Sequence, residues 1–205
     1  MTVGTATSLY NPYTMSFPTT TTTPPTTGTE TSSPQLPANP TMDGVQIGIK
    51  SLLVGRMASK TAIQQLEFQT IQNHETTAAS VMTSTMTRTI GKGALVSGLV
   101  STASNVFHLA QGEINVARAS GNVAADILGG AVGGLAAGAG AGLAVGLMSK
   151  ASHFSMGTMG LIAGTVGFAL IDTLYHFSGA RNTVSDKVTG VIERFFDTKT
   201  QGGGV

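Results

Sequence analysis

The sequence contains no cysteine and no tryptophan, and only 10% of its residues are charged. Without cysteine the chain has no disulfide bonds, no thiolate zinc site and no cysteine nucleophile. A typical soluble domain carries about 25% charged residues, so the low charge argues against an ordinary soluble domain. The net charge of +1 gives no sign of the basic surface that binding to a phosphate backbone requires. What the sequence has in excess is glycine, with 27 residues.

All 7 prolines lie between Pro12 and Pro40, in a stretch that is rich in threonine. Such a composition cannot bury enough apolar surface to offset the entropy of ordering. We therefore predict a low-complexity tail over residues 1–40, disordered or extended, through which the protein contacts other components of an assembly. No proline follows Pro40. The rest of the chain can thus form long helices, and it lacks the strict apolar/polar alternation of strands, so the predicted fold class is all-α.

Residues 41–118 are predicted to form polar and semi-apolar helices. The segment from Gly93 to Gly112 contains no Asp, Glu, Lys or Arg, but it carries several hydroxyl and amide side chains. We interpret it as a poor membrane span and as a better buried or groove-lining helix.

The main pattern lies in residues 119–177. Residues 127–149 carry no charge, and glycine recurs in them at every fourth position. This series, called here the glycine ladder, consists of Gly130, Gly134, Gly138, Gly142 and Gly146. Positions i and i+4 share one helical face, so the ladder forms a groove into which a second helix can pack closely. Each glycine costs a helix about 1 kcal/mol relative to alanine, and the pattern therefore predicts a helix-packing interface.

A second uncharged run, residues 151–171, carries four glycines on one helical face. They are Gly157, Gly160, Gly164 and Gly167. We expect this face to pack into the glycine ladder, which gives an antiparallel hairpin of two candidate transmembrane arms, each near the roughly 20 residues that span a bilayer. Glycine and alanine gain little from lipid, so association of arms or of subunits must support insertion, and we predict a homo-oligomer in a bilayer. The alternative is a hairpin that is buried in a protein assembly and never meets lipid.

Three charges flank the two arms: Asp126 and Asp172 at the open end, and Lys150 at the tip. An intramembrane carboxylate is by default a functional candidate. Both aspartates, however, lie at the ends of the arms, and we expect them to be solvated there.

Aromatic residues follow the second arm where an interfacial belt would lie, at Tyr175 and Phe177. Residues 178–205 are predicted to form an amphipathic helix and a frayed tail, with Phe195 and Phe196 on the apolar face. This helix either lies in a membrane interface or packs on the base of the hairpin.

The sequence gives little basis for catalysis. Its 4 histidines are dispersed, and no two of them share the spacing of metal ligands on one helical face. The glycine-rich segment matches neither the dinucleotide fingerprint nor a phosphate-binding loop, and no nucleophile elbow occurs. We expect no catalytic residue, no metal, no cofactor and no nucleic-acid partner, and hence not an enzyme.

In the order of its parts, the chain over residues 18–196 resembles two groups of glycine-zipper membrane-inserting proteins. They are the small hydrophobic translocators of type III secretion and the ejection and lumenal proteins of tailed phages. The glycine-rich arms followed by Asp172 and Tyr175 are also similar to the pore-forming tails of secreted bacterial toxins. These resemblances imply release as a soluble or sheathed chain, followed by oligomeric insertion that opens a path through a bilayer.

The function expected from sequence and resemblance together is that of a pore or conduit subunit, delivered by a secretion or ejection apparatus and membrane-associated afterwards. The alternative is a non-enzymatic structural component inside a virion, a tail or a secretion assembly.

Overall fold

A computed structural model describes residues 40–72, 76–150 and 153–201. They form five helices: α1 (Pro40–Ile71), α2 (Ala78–Ala110), α3 (Val116–Leu147), α4 (His153–Phe177) and α5 (Ala180–Gln201). The described part of the chain contains no strand, which confirms the all-α prediction. The predicted tail lies outside the described residues, except for Pro40, at which α1 begins.

Short turns that contain glycine separate α2 from α3 and α4 from α5. Thr77 caps α2: its hydroxyl accepts the N–H of Ser80, and the Ser80 hydroxyl accepts the N–H of Thr77, each at 3.2 Å. Asn115 caps α3 by accepting the N–H of Arg118 at 2.7 Å. Gly112 follows α2 with φ +73° and Gly179 lies between α4 and α5 with φ +74°. Both glycines thus adopt the left-handed conformation that commonly ends a helix.

Helix α3 is the centre of the bundle, because it contacts each of the other four helices. Both α2 and α4 run antiparallel to it. Gly130 faces Ser97 whereas Gly146 faces Ala78, so residue numbers decrease along α2 as they increase along α3. Along the other side, Gly129 faces Tyr175 and Gly140 faces Ala163. The predicted antiparallel hairpin of α3 and α4 is therefore confirmed.

The glycine ladder packs against α2 and not against α4. A Cβ atom at Gly134 would lie 2.4 Å from the carbonyl oxygen of Thr89, and one at Gly142 would lie 2.5 Å from the Cα of Met82. Helix α4 uses a neighbouring face of α3, where a Cβ at Gly140 would lie 2.5 Å from the carbonyl oxygen of Ala163. The expectation that the second glycine run fills the ladder is wrong, since α3 has two sides bare enough for close packing and α2 occupies the first.

The interior of the bundle consists mainly of small side chains, whereas large apolar side chains point outward. The apolar core is dominated by alanine and valine, with Phe168 as a large buried member next to Gly133. Exposed apolar residues occur on every helix and include Leu99, Leu128 and Leu170, each more than half exposed. A water-soluble bundle has the opposite arrangement, with its large apolar side chains inside.

Three helices are long and apolar enough to cross a membrane: Ala78–Ala110, Val116–Leu147 and Ser155–Phe177. The first of these is α2, which contains most of the segment from Gly93 to Gly112. By length and composition α2 is a candidate span, although that segment was interpreted as a poor one; its interpretation as a groove-lining helix agrees with the contacts of Gly93 and Ser97 with Gly130. Helix α3 begins at Val116, before the predicted start of the hairpin at residue 119. The length and polarity of these helices are compatible with insertion into a membrane.

Candidate functional site

A cluster of charged side chains lies inside the bundle, where α1, α3, α4 and α5 meet. Its centre is Asp126 on α3, whose side chain is 2% exposed. The guanidinium of Arg181 on α5 donates two hydrogen bonds to this carboxylate, from Nε to Oδ1 at 2.7 Å and from Nη2 to Oδ2 at 2.9 Å. Such a two-pronged contact fixes the orientation of both groups. It also connects the start of α5 to α3.

Lys50 on α1 brings a second positive charge to the cluster. Its side chain is only 1% exposed, and its Nζ lies 4.0 Å from Oδ1 of Asp126. A buried ammonium group needs a counter-charge, since moving it out of water unpaired costs several kcal/mol. Asp126 is thus shared between Lys50 and Arg181, and this sharing joins α1 to α5 through α3.

Asp172 on α4 is the second buried carboxylate, and His176 lies one turn after it. The imidazole is placed between the two acids: Nε2 lies 3.8 Å from Oδ1 of Asp126, and Nδ1 lies 3.7 Å from Oδ1 of Asp172. Nδ1 is also 2.8 Å from the backbone carbonyl oxygen of Asp172. Oδ2 of Asp172 is buried and has no hydrogen-bond partner. The charges in the cluster nearly balance, but Asp172 is held less well than Asp126.

A layer of uncharged polar side chains continues from the cluster between α2, α3 and α5. The Nδ2 of Asn122 donates to Oδ1 of Asn105 at 2.8 Å, and the hydroxyl of Ser185 donates to Oδ1 of Asn122 at the same distance. Asn105 in turn donates to the carbonyl oxygen of Ser101 at 2.8 Å. These bonds satisfy polar groups that would otherwise be buried without partners. They hold α5 against α3 by its polar face.

The charged side chains of the cluster pair with one another. Burial alone would lower the pKa of Arg181, but its hydrogen bonds and ion pair with Asp126 outweigh burial and raise that pKa. The guanidinium therefore stays charged and keeps its hold on the carboxylate. Within the described residues, no group of three or more histidine, cysteine or acidic side chains is arranged to hold a metal ion. The arrangement acts as an electrostatic clamp between helices.

The structure corrects the expected solvation of the two aspartates. Asp126 and Asp172 do lie together at the open end of the hairpin, but they are 3% and 1% exposed. The reason is that α1 and α5 cover this end and supply the cations, through Lys50 and Arg181. The sequence analysis missed both cations as well as His176. The sequence did carry a signal for His176, four residues after Asp172, but a single lysine in α1 gives no indication of its distant partner.

The other predicted site residues lie apart from the cluster, with one exception. Tyr175 is half-buried beside it and donates its hydroxyl to the carbonyl oxygen of Ala125 at 3.0 Å. Lys150, at the tip of the hairpin, is exposed. Phe177 is 84% exposed, and Phe195 and Phe196 on α5 are also exposed.

The glycines of the second run face α1 and α3. A Cβ at Gly160 would lie 2.9 Å from the hydroxyl oxygen of Ser59, and Gly157 lies 3.7 Å from Ile63 on the same measure. Gly164 contacts the carbonyl oxygens of Gly55 and Ala137, and a Cβ at Gly167 would lie 2.7 Å from the carbonyl oxygen of Ala136. These four positions are therefore the surface on which α4 meets its two neighbours.

Helix α5 is amphipathic as predicted, but the side that packs on α3 is not the apolar one. Ser185 and Thr189 are buried against Gly121, where a Cβ would lie 2.2 Å from the Thr189 hydroxyl oxygen. Val191 and Phe195 remain 66% and 60% exposed. The apolar face of α5 thus adds to the outward apolar surface of the bundle.

No family model matches the sequence, and no curated protein or solved structure matches it either.

Proposed function

We propose that the protein is a membrane-inserting bundle that oligomerises as the subunit of a pore or conduit. The observation that carries this proposal is the inverted polarity of the bundle: its large apolar side chains face outward. The role is non-enzymatic. Delivery by a secretion or ejection apparatus, which the sequence resemblance implies, belongs to the same proposal.

Two apolar stripes on the outer faces of α3 and α4 supply the main support. The α4 stripe repeats at every fourth residue, and the α3 stripe repeats at intervals of three or four residues with one gap from Leu135 to Leu143. The stripe on α3 contains Leu128, Val132, Leu135, Leu143 and Leu147, and the stripe on α4 contains Ile162, Val166, Leu170 and Leu174. All nine side chains are classed as exposed, between 37% and 75%. Contiguous apolar surface of this kind marks contact with a membrane or with a protein partner.

The interior fits the rules of helix association in lipid. There the hydrophobic effect gives helices no reason to associate, so small residues that allow close backbone contact dominate the interfaces. The contact of Gly134 with Thr89 and that of Gly167 with Ala136 are of this type. The clamp around Asp126 fits the same rules, since its charges pair with one another within the bundle.

One observation favours the alternative, a structural component buried in a protein assembly. Arg88 is exposed and Lys92 is half-buried, and both lie within the candidate span α2. A lysine or arginine at the centre of a span is unfavourable by about 2.5–3.5 kcal/mol on insertion scales. Surrounding protein could supply counter-charges for these two residues, whereas lipid could not.

Liposome flotation with dye release distinguishes the two functions. Purified full-length protein is mixed with liposomes that contain a self-quenched dye, and the membranes are floated and washed with alkaline carbonate. We expect the protein to float, to resist carbonate and to release the dye. Protein that stays in the aqueous fraction without leakage would contradict insertion and favour the structural role. Protein that floats but releases no dye would support insertion into the membrane and contradict the formation of a pore.

A further inference from the structure

Four cationic side chains lie at a similar level on α1 and α2, two helices that pack against each other. They are Arg56, Lys60, Arg88 and Lys92, called here the basic seam. Arg56 and Lys60 are one turn apart on α1, and Arg88 and Lys92 are one turn apart on α2, so each pair shares a helical face. The two helices are joined at this level by Nζ of Lys92, which donates to the hydroxyl of Thr61, the residue after Lys60 in the sequence. Arg56, Lys60 and Arg88 are exposed.

The basic seam lies level with the middle of the hairpin. Gly138 is the midpoint of the uncharged residues 127–149, and it faces Met86 and Thr89, which flank Arg88. On the other side, Gly55 precedes Arg56 directly and contacts Thr165 and Gly164 of α4. Gly164 in turn contacts Ala137 on α3, next to Gly138. A membrane centred on the hairpin would therefore place the seam near its midplane.

Lipid cannot solvate the seam at that depth. Among the described residues, no ion pair involves any of the four cations. The exposed side chains beside the seam include polar ones, Gln64 on α1 and Thr83 and Thr87 on α2, as well as Leu53 and Met57 on α1. Ionisable residues inside a membrane nearly always face a bundle interior or a water-filled cavity. The seam is thus the side of the bundle that requires water, and the stripes of α3 and α4 are the sides that suit lipid.

The water-filled path cannot run through the bundle itself. Backbones meet along α3 on both of its packed sides, as at Gly134 against Thr89 and at Gly140 against Ala163. Such contacts leave no room for a lumen between α2, α3 and α4. A path through the membrane must therefore run outside single bundles, between copies of the chain.

We infer that the basic seam lines this path and makes the pore selective for anions. The inference rests on the proposed function and specifies which helices line the conduit and which ions it prefers. In an oligomer each copy turns α1 and α2 toward a common axis and α3 and α4 toward lipid. Rings of lysine and arginine then attract anions, as rings of charged side chains do in other selective pores.

The reversal potential in planar bilayers tests the charge preference. Full-length protein is reconstituted between two KCl solutions of unequal concentration, and the sign of the potential reports whether chloride or potassium permeates more readily. We expect chloride in the wild type. The double substitution Lys60→Glu with Arg88→Glu should reduce the chloride-to-potassium permeability ratio by about tenfold or more, because focused charge enriches counter-ions by at least that factor.

Lys187→Glu is the matched control for charge reversal. Lys187 is exposed on α5, in the part of that helix that packs beside the start of α3, away from the seam. Its reversal should leave the permeability ratio unchanged. A ratio that is insensitive to the seam variants, or equally sensitive to Lys187→Glu, would overturn the inference while leaving the pore itself intact. An absence of conductance from the wild type would overturn the pore, and the inference with it.

Single cysteines give a second test that does not depend on selectivity. The natural chain has no cysteine, so Lys60→Cys or Val166→Cys introduces a unique thiol. A charged, water-soluble thiol reagent should reduce the conductance of Lys60→Cys channels and spare Val166→Cys channels. The reverse pattern would place lipid on the α1–α2 side and refute the inference.

Discussion

Both carboxylate oxygens of Asp126 on α3 accept a hydrogen bond from the guanidinium of Arg181 on α5, at 2.7 and 2.9 Å. Removing the charge with Asp126→Asn leaves the buried Lys50 and the half-buried Arg181 without their common counter-ion. We expect a loss of about 3–5 kcal/mol in the free energy of unfolding, as for other broken buried pairs. Reversible unfolding in detergent micelles measures it.

The control for Asp126→Asn is Asp186→Asn. Asp186 also pairs with an arginine, Arg118, but its side chain is 50% exposed. Exposed ion pairs contribute about 1 kcal/mol or less, so this variant should unfold close to the wild type. Equal losses from the two substitutions would contradict the role of the buried clamp.

Charge balance inside the cluster predicts a rescue. Lys50→Met removes a buried cation and leaves the two aspartates in excess, so the variant should be less stable than the wild type. Adding Asp172→Asn removes the carboxylate that has an unpartnered oxygen and restores the balance. We expect the double variant to be more stable than Lys50→Met by about 0.5–3 kcal/mol, the usual coupling between residues of one ion-pair network. Additive losses in unfolding measurements would show that Lys50 does not act on Asp172.

The close contact between α2 and α3 predicts opposite effects of one methyl group at two glycines. Gly134→Ala would bring a Cβ within 2.4 Å of the Thr89 carbonyl oxygen, so the helices must move apart, with a loss of about 1–3 kcal/mol. Gly91→Ala, on the exposed side of α2, meets nothing within 4 Å. It should stabilise the helix by about 0.5–1 kcal/mol through backbone entropy. Thermal unfolding of the two variants would refute the packing if Gly134→Ala proved neutral.

Insertion should depend on the depth of a new charge along α4. Val166 lies near the middle of α4, and Phe177 is the last residue of that helix. Both side chains are at least half exposed. Val166→Lys should reduce the fraction that floats with liposomes, since a central lysine opposes insertion by about 2.5–3.5 kcal/mol. Phe177→Lys should float almost like the wild type because a lysine at a helix end reaches the interface. Equal flotation of both variants would mean that α4 does not lie in lipid.

The sequence predicted the helical hairpin because its signals are local. No proline follows Pro40, and glycine recurs at every fourth residue from Gly130 to Gly146. Each of these signals can be recognised within one continuous segment of the chain. The partner of the ladder was harder to predict, since a bare face specifies close approach but not which helix approaches. A signal did exist in α2, where Thr85, Thr89, Gly93, Ser97 and Ser101 repeat at the same interval.

The charged cluster could not be predicted in the same way. Asp126 and Asp172 were recognisable as flanking charges, but their environment is set by Lys50 on α1 and Arg181 on α5, both of which lie far from Asp126 in the sequence. Lys50 meets Asp126 only because α1 packs against the open end of the hairpin. No local pattern indicates that contact. For this reason the sequence predicted solvated aspartates, whereas the structure has them buried.

The depth of Val166 in a bilayer is the most direct test of the central claim that large apolar side chains face lipid. The Val166→Cys variant is labelled with an environment-sensitive fluorophore and reconstituted in liposomes. The account predicts blue-shifted emission that nitroxide-labelled lipid tails quench and aqueous iodide does not. Emission quenched by iodide and untouched by the lipid nitroxides would show this face to be in water, and would contradict the account.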